Sequence, residues 1–171
     1  MKIILFRGRP CTGKTTLSNL FAQQTNLPIL RKDDIYDASA DFITEHDTCS
    51  KISYGALWKI LESNILNCSA VVVDFPFQHQ GELNIIKDWC DKNGVALKSI
   101  LVTCSDEKLW SERLKKRAKK PRPNQKITDF ESFQKLYGTM HLIPEKEELL
   151  VDTTNSIDIC LKQIIDFINL C

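Results

Sequence analysis

Nine consecutive residues near the start of the chain, Gly8-Arg9-Pro10-Cys11-Thr12-Gly13-Lys14-Thr15-Thr16, constrain the fold more than any other feature. They fit the pattern G-x-x-x-x-G-K-[ST]. A short apolar run over residues 2–6 precedes them and a helical pattern over residues 14–25 follows. Strand, Gly-rich turn and helix in that order make a phosphate cradle. The glycines let successive backbone N–H groups converge on one centre, and the helix N-terminus adds about half a positive charge there. Lys14 is placed to reach the β- and γ-phosphates of a bound nucleotide, and the Thr15 hydroxyl to ligate Mg²⁺. Gly8, Pro10, Cys11, Thr12, Gly13, Lys14, Thr15 and Thr16 are the candidate nucleotide-binding residues. Mg²⁺ and ATP are the expected cofactor and phosphoryl donor.

The rest of the chain alternates strand and helix signals. Short buried strands are expected at 28–30, 70–73, 95–102 and 149–151, with helices between them. A long helical region fills 35–68. Leu57, Ile60, Leu61, Ile65 and Cys68 share one of its faces, and its end is expected near Asn67. A helix carrying Leu83, Ile86, Trp89 and Cys90 should stop at Asn93-Gly94. A basic helix over 106–119 is broken by Pro121 and Pro123. One more helix is expected over 129–140. A last one, capped by Asn155 or Ser156, should turn Ile157, Leu161, Ile164, Ile165 and Ile168 inward. Together with 2–6 this makes five parallel strands covered on both faces. The expected class is a three-layer α/β/α P-loop NTPase, nucleoside-kinase-like, a single domain over 1–171 with a short helical lid at about 106–126.

In such a sheet ligands bind beyond the carboxyl ends of the strands. Val71-Val72-Val73-Asp74 is an apolar strand ending in a carboxylate, the second element of a nucleotide site, so Asp74 joins Thr15 as a candidate Mg²⁺ ligand. Phe77, not Gly, stands three residues after Asp74 and no N-K-x-D occurs, which argues against a signalling GTPase. Lys32-Asp33-Asp34 follows the second strand on the same rim. A carboxylate there can accept the proton of an attacking hydroxyl, while its neighbour caps the next helix.

With these residues in place the chain resembles the small P-loop kinases related to polynucleotide 5′-hydroxyl kinase, zeta-type toxins and chloramphenicol phosphotransferase, which have an AAA-type ATP-binding domain. Gly8, Pro10, Gly13, Lys14, Thr15 and Thr16 match that group's loop, and Lys32-Asp33-Asp34-Ile35 matches its acceptor step. The resemblance implies Lys14 and Asp33 as catalytic residues, Asp33 being the general base and Asp34 the alternative. It also implies a lid whose Arg113 and Arg117, four apart and so on one helix face, reach the γ-phosphoryl oxygens. Two departures stand out. Tyr36 occupies the place where polynucleotide kinases carry an arginine for the substrate phosphate, and Cys11 replaces a common loop glycine, so the loop backbone is expected to deviate slightly.

Composition narrows the partners. The net charge is +1, with 26% charged residues, so no global attraction to nucleic acid or membrane is expected. Seven cysteines without a C-x-x-C pair read as thiols of a reducing compartment, and the N-terminal apolar run is too short for an export signal, so a cytoplasmic location is expected. His46, His79 and His141 show no metal spacing, and Trp58, Trp89 and Trp110 read as core. Phe75-Pro76-Phe77-Gln78-His79 is a candidate acceptor wall, and the resemblance places Asp152-Thr153-Thr154 in the loop beside adenine. Three functions compete: an ATP-dependent kinase acting on a hydroxyl of a small molecule or nucleotide, a polynucleotide 5′-hydroxyl kinase, and an ATP-binding regulatory module without transfer activity. The acceptor and the oligomeric state are not encoded in any motif.

Overall fold

The computed structural model describes residues 1–125, 127, 129–138 and 141–169. Five strands form one parallel sheet: β1 (Lys2–Arg7), β2 (Ile29–Arg31), β3 (Ala70–Asp74), β4 (Ala96–Thr103) and β5 (Leu149–Asp152), in the order β2-β3-β1-β4-β5. The helices are α1 (Lys14–Thr25), α2 (Lys32–Ala40), α3 (His46–Asn64), α4 (Gln80–Asn93), α5 (Glu107–Ala118), α6 (Phe130–Tyr137) and α7 (Ile157–Asn169).

Alternation along β1 explains the three layers. Ile3 and Leu5 point to one face, where Leu57 and Leu61 of α3 and Leu83, Ile86 and Cys90 of α4 cover them. Ile4 and Phe6 point to the other, against Leu17 and Phe21 of α1 and Cys160 and Ile164 of α7. A strand apolar on both faces is stable only inside such a sandwich. The chain runs from β1 out to β2 on one side, then from β3 across β1 to β4 on the other. The strand order therefore reverses beside β1, and a crevice opens beyond the carboxyl ends of β1 and β3.

The expected strands are all present, shifted by a residue at their ends. The helical region 35–68 is two helices, α2 and α3, and the second stops at Asn64, three residues early; Cys68 lies in the turn beyond it. Gly94 ends α4 at a φ of 62°, and the Ser156 hydroxyl caps α7 through the Ile159 N–H at 3.4 Å. The helix expected over 129–140 is described from Phe130 to Tyr137; Met140 lies outside the described residues, as do Lys126 of the expected lid and Cys171.

A third apolar cluster lies apart from the sheet. Trp110 and Leu114 of α5 pack with Phe133 of α6 and with Cys104, and Cys11 of the Gly-rich loop touches the same group. The Trp110 indole N–H donates to the Pro10 carbonyl at 2.8 Å. The basic helix is thus anchored by an aromatic core and a hydrogen bond to the loop itself. Trp110 is core as expected, whereas Trp58 and Trp89 are half-buried and lie against each other, 5.8 Å between ring centres. Among the described residues no helix is long and apolar enough to cross a membrane.

Candidate active site

The loop between β1 and α1 takes its shape from two glycines. Gly8 has a φ of 142°, and a Cβ there would sit 2.3 Å from the Val102 carbonyl oxygen; Gly13 has a φ of 100°. Gly8→Ala is expected to displace the loop and to cost about 2 kcal/mol of stability, measurable by thermal unfolding. Cys11 holds a φ of 61°, the left-handed conformation a glycine would take. A non-glycine residue thus bears the strain of a left-handed turn in the loop.

Lys14 opens α1 and its ammonium donates to the Arg9 carbonyl at 3.3 Å, folded back over the loop. The Thr15 hydroxyl donates to Asp74 Oδ2 at 2.7 Å, and Ser18 adds a 3.3 Å contact. Asp74 is buried at the end of β3, and burial pushes its carboxyl above the usual range, with Lys14 and the two hydroxyls acting the other way. A buried carboxylate paired with a threonine hydroxyl is a hard oxygen donor set, which suits Mg²⁺.

Lys14, Thr15 and Asp74 line one cavity of about 790 Å³ together with Asp33, Arg113 and Arg117. The two candidate bases separate clearly. Asp33, in the first turn of α2, faces the cavity, and its Oδ1 accepts a hydrogen bond from the Asn124 side-chain amide. Asp34 is exposed and ion-paired with Arg31 at 2.6 Å. The two arginines also differ. Arg113 donates to the Thr153 hydroxyl at 2.7 Å and the Thr153 carbonyl at 3.0 Å. Arg117 reaches Cys11 Sγ at 3.5 Å, and its buried Nε has no hydrogen-bond partner among the described residues.

Several lining residues lie outside the sequence motifs. His46, an isolated histidine in the sequence, lines the cavity from the start of α3, and its Nδ1 lies 2.6 Å from the Tyr36 hydroxyl. Pro76 and Gln78 line it as the Phe75–His79 stretch suggested, but Phe75 and Phe77 turn into the core. Gln78 accepts from Arg9 at 2.7 Å, and the Arg9 guanidinium lies 4.3 Å from the centre of the Tyr137 ring, tying the loop to α6. Lys32, beside Asp33, also lines the cavity; burial lowers its pKa, while Asp33 and Glu82 raise it. Thr153 lies in the Asp152–Thr154 stretch singled out in the sequence, where nothing marks a role for its side chain; Asn124, in the Pro-rich break after α5, carries no signal.

The AAA domain family matches residues 3–136. No curated protein sequence matches the chain. Among solved structures, a candidate kinase from Chloroflexus aurantiacus j-10-fl shares 18% identity at a TM-score of 0.77, with 97% of each chain covered. A gluconokinase from Sinorhizobium meliloti 1021 shares 15% at 0.66, covering 98% of this chain and 91% of its own. The APS kinase of Mycobacterium tuberculosis, in complex with AMPPNP and APS, shares 14% at 0.65, covering 98% of this chain and 97% of its own. Since the family match runs from β1 through α6 and so includes the loop, Asp33, Asp74 and both arginines, the chain belongs to the AAA domain family, on the fold of the small P-loop kinases.

Proposed function

We propose that the protein is an ATP-dependent kinase that transfers the γ-phosphoryl group to a hydroxyl of a small molecule or nucleotide. One observation carries this reading: a phosphate cradle with its Thr15–Asp74 pair and a separate carboxylate, Asp33, line the same cavity. A nucleotide switch needs the first but has no use for the second. The gluconokinase and the APS kinase with its AMPPNP and APS, as structural neighbours, support a nucleotide and a small second substrate.

The loop amides and the α1 N-terminus bind the phosphate chain, and Lys14 swings from the Arg9 carbonyl to the β- and γ-phosphates. Thr15 and Asp74 would hold Mg²⁺, which supplies charge neutralisation at the phosphates. Asp33 accepts the proton of the acceptor hydroxyl while its oxygen bonds to the γ-phosphorus; the bond from that phosphorus to the bridging oxygen breaks, and ADP leaves with the electron pair. Asn124 steadies the Asp33 carboxylate through its amide, and Arg117, with its unused Nε, offers a guanidinium to the charge developing on the phosphoryl oxygens. The reaction belongs in the cytoplasm, where the ATP is.

A polynucleotide acceptor has one feature in its favour, the exposed Lys115, Lys116, Lys119 and Lys120 on and just after α5. Against it, Tyr36 is buried and engaged with His46, and so cannot stand in for a phosphate-gripping arginine. The test is ADP release from Mg·ATP across nucleosides, sugars, hydroxylated antibiotics and 5′-hydroxyl oligonucleotides, with Lys14→Ala as control. Acceptor-stimulated turnover that disappears in the control is expected for a small hydroxylated compound. Turnover only with oligonucleotides, falling steeply with salt, would favour the polynucleotide reading. Tight ATP binding with no stimulated turnover would favour a regulatory module.

A further inference from the structure

Three parts of the site meet at Thr153. Its hydroxyl donates to the Thr12 carbonyl in the Gly-rich loop at 2.7 Å and lies 3.0 Å from the Thr103 carbonyl at the end of β4. Its backbone N–H holds that same Thr103 carbonyl at 3.0 Å. Arg113 of α5 then takes both of its acceptors, the hydroxyl oxygen and the carbonyl. The Gly13 backbone lies so close to the Thr153 methyl that a Cβ on Gly13 would come within 3.1 Å of it.

The proton count gives this junction a direction. A hydroxyl has one proton to donate, and a guanidinium can only donate. Arg113 must therefore be the donor, and the Thr153 proton is left for the two carbonyls, of which the Thr12 carbonyl in the loop is the nearer and the Thr103 carbonyl already accepts the Thr153 N–H. A cation on the hydroxyl oxygen polarises it and strengthens the bond it gives. The planar fork of Arg113 is spent on two oxygens of one residue, a geometry lysine cannot reproduce. Four residues on, along the same face of α5, Arg117 lies against Cys11 of the loop.

We propose that Thr153 is a positioning residue of the nucleotide site. Arg113 acts through it, not on the phosphoryl oxygens, and the pair clamps α5 to the loop so that the cradle is preset and Arg117 is held over it. The inference rests on the reading of the cradle as the ATP site. A clamp of this kind makes the effects of its two members non-additive, because removing either one releases the same contact.

The test is a calorimetric titration of Mg·AMPPNP into the wild-type protein, Thr153→Val, Thr153→Ser, Arg113→Ala and the double variant Arg113→Ala/Thr153→Val. Thr153→Val keeps the shape and removes the hydroxyl, and it should weaken binding about tenfold, the worth of a hydrogen bond to a charged group. Thr153→Ser, which keeps the hydroxyl, should bind within about twofold of wild type, so that the hydroxyl and not the methyl carries the effect, and Thr153→Val should keep the wild-type unfolding temperature within a few degrees. Arg113→Ala should match Thr153→Val, and the double variant should bind no worse than either. Wild-type affinity in Thr153→Val, or losses that multiply in the double variant, would overturn the clamp while leaving the nucleotide site intact. Failure of the wild-type protein itself to bind would overturn both.

Discussion

Glu148→Ala is expected to lower the unfolding free energy by about 3–5 kcal/mol, the usual result of removing one partner from a buried ion pair. Glu148 takes two hydrogen bonds from the Arg7 guanidinium, at 2.6 and 2.5 Å, and their side chains are only 1% and 4% exposed. It also accepts from the Ser99 hydroxyl at 2.5 Å and the Glu145 N–H at 3.1 Å. Alanine would strand the Arg7 charge in a dry place and leave those donors unpaired. A domain of this size has about 5–15 kcal/mol to lose, so the variant should unfold at a much lower urea concentration. The double variant Arg7→Met/Glu148→Leu, which removes the charges together, should recover much of the loss, because the pair's attraction roughly balances its desolvation. If Glu148→Ala lost less than about 1 kcal/mol, the range of a solvent-exposed pair, Arg7 would have found water. The effect reaches the site: Arg7 immediately precedes Gly8 and also donates to the Phe77 carbonyl at 3.3 Å, so this pair fixes where the Gly-rich loop begins and where the Phe75–Gln78 turn lies.

Glu148 also shows where a sequence stops being legible. Glu145-Lys146-Glu147-Glu148 reads as a solvated charged turn, and nothing local reveals that its last residue is buried against a cation 141 positions away. The Gly-rich loop, Asp74 and Asp33 were legible for the opposite reason. Each lies directly after a short apolar strand, and a parallel sheet sends all such points to one rim, so local pattern and global topology coincide there. Thr153 stands on the same rim, yet its role depends on Arg113 arriving from α5, and a threonine in a polar turn looks like any other. Asn124 lies beyond the prolines that end α5, where no periodicity says which way the chain turns. Cys11 is the intermediate case. The resemblance marks Cys11 as standing where glycine is common, but only the backbone shows a left-handed turn there, at a cost of about 1–2 kcal/mol that the Trp110 hydrogen bond to the Pro10 carbonyl can offset.

Asp33→Asn should reduce phosphorylation of the acceptor by about 10²–10⁴-fold, the range for loss of a positioned general base, and leave Mg·AMPPNP affinity nearly unchanged. Asparagine has the same shape, and its amide oxygen can still accept the bond from Asn124, so what disappears is the capacity to take a proton. Asp34→Asn should act far more weakly, since Asp34 is exposed and already paired with Arg31. Lys14→Ala provides the contrast on the donor side: there, nucleotide binding and transfer should fall together. The measurement is single-turnover transfer under saturating Mg·ATP, which separates the chemical step from binding. A larger loss in Asp34→Asn than in Asp33→Asn would exchange their roles and would require α2 to turn on binding. Equal transfer by wild type and Asp33→Asn would mean that the acceptor is already ionised, or is activated by His46 across the cavity, and the general base would have to be sought there.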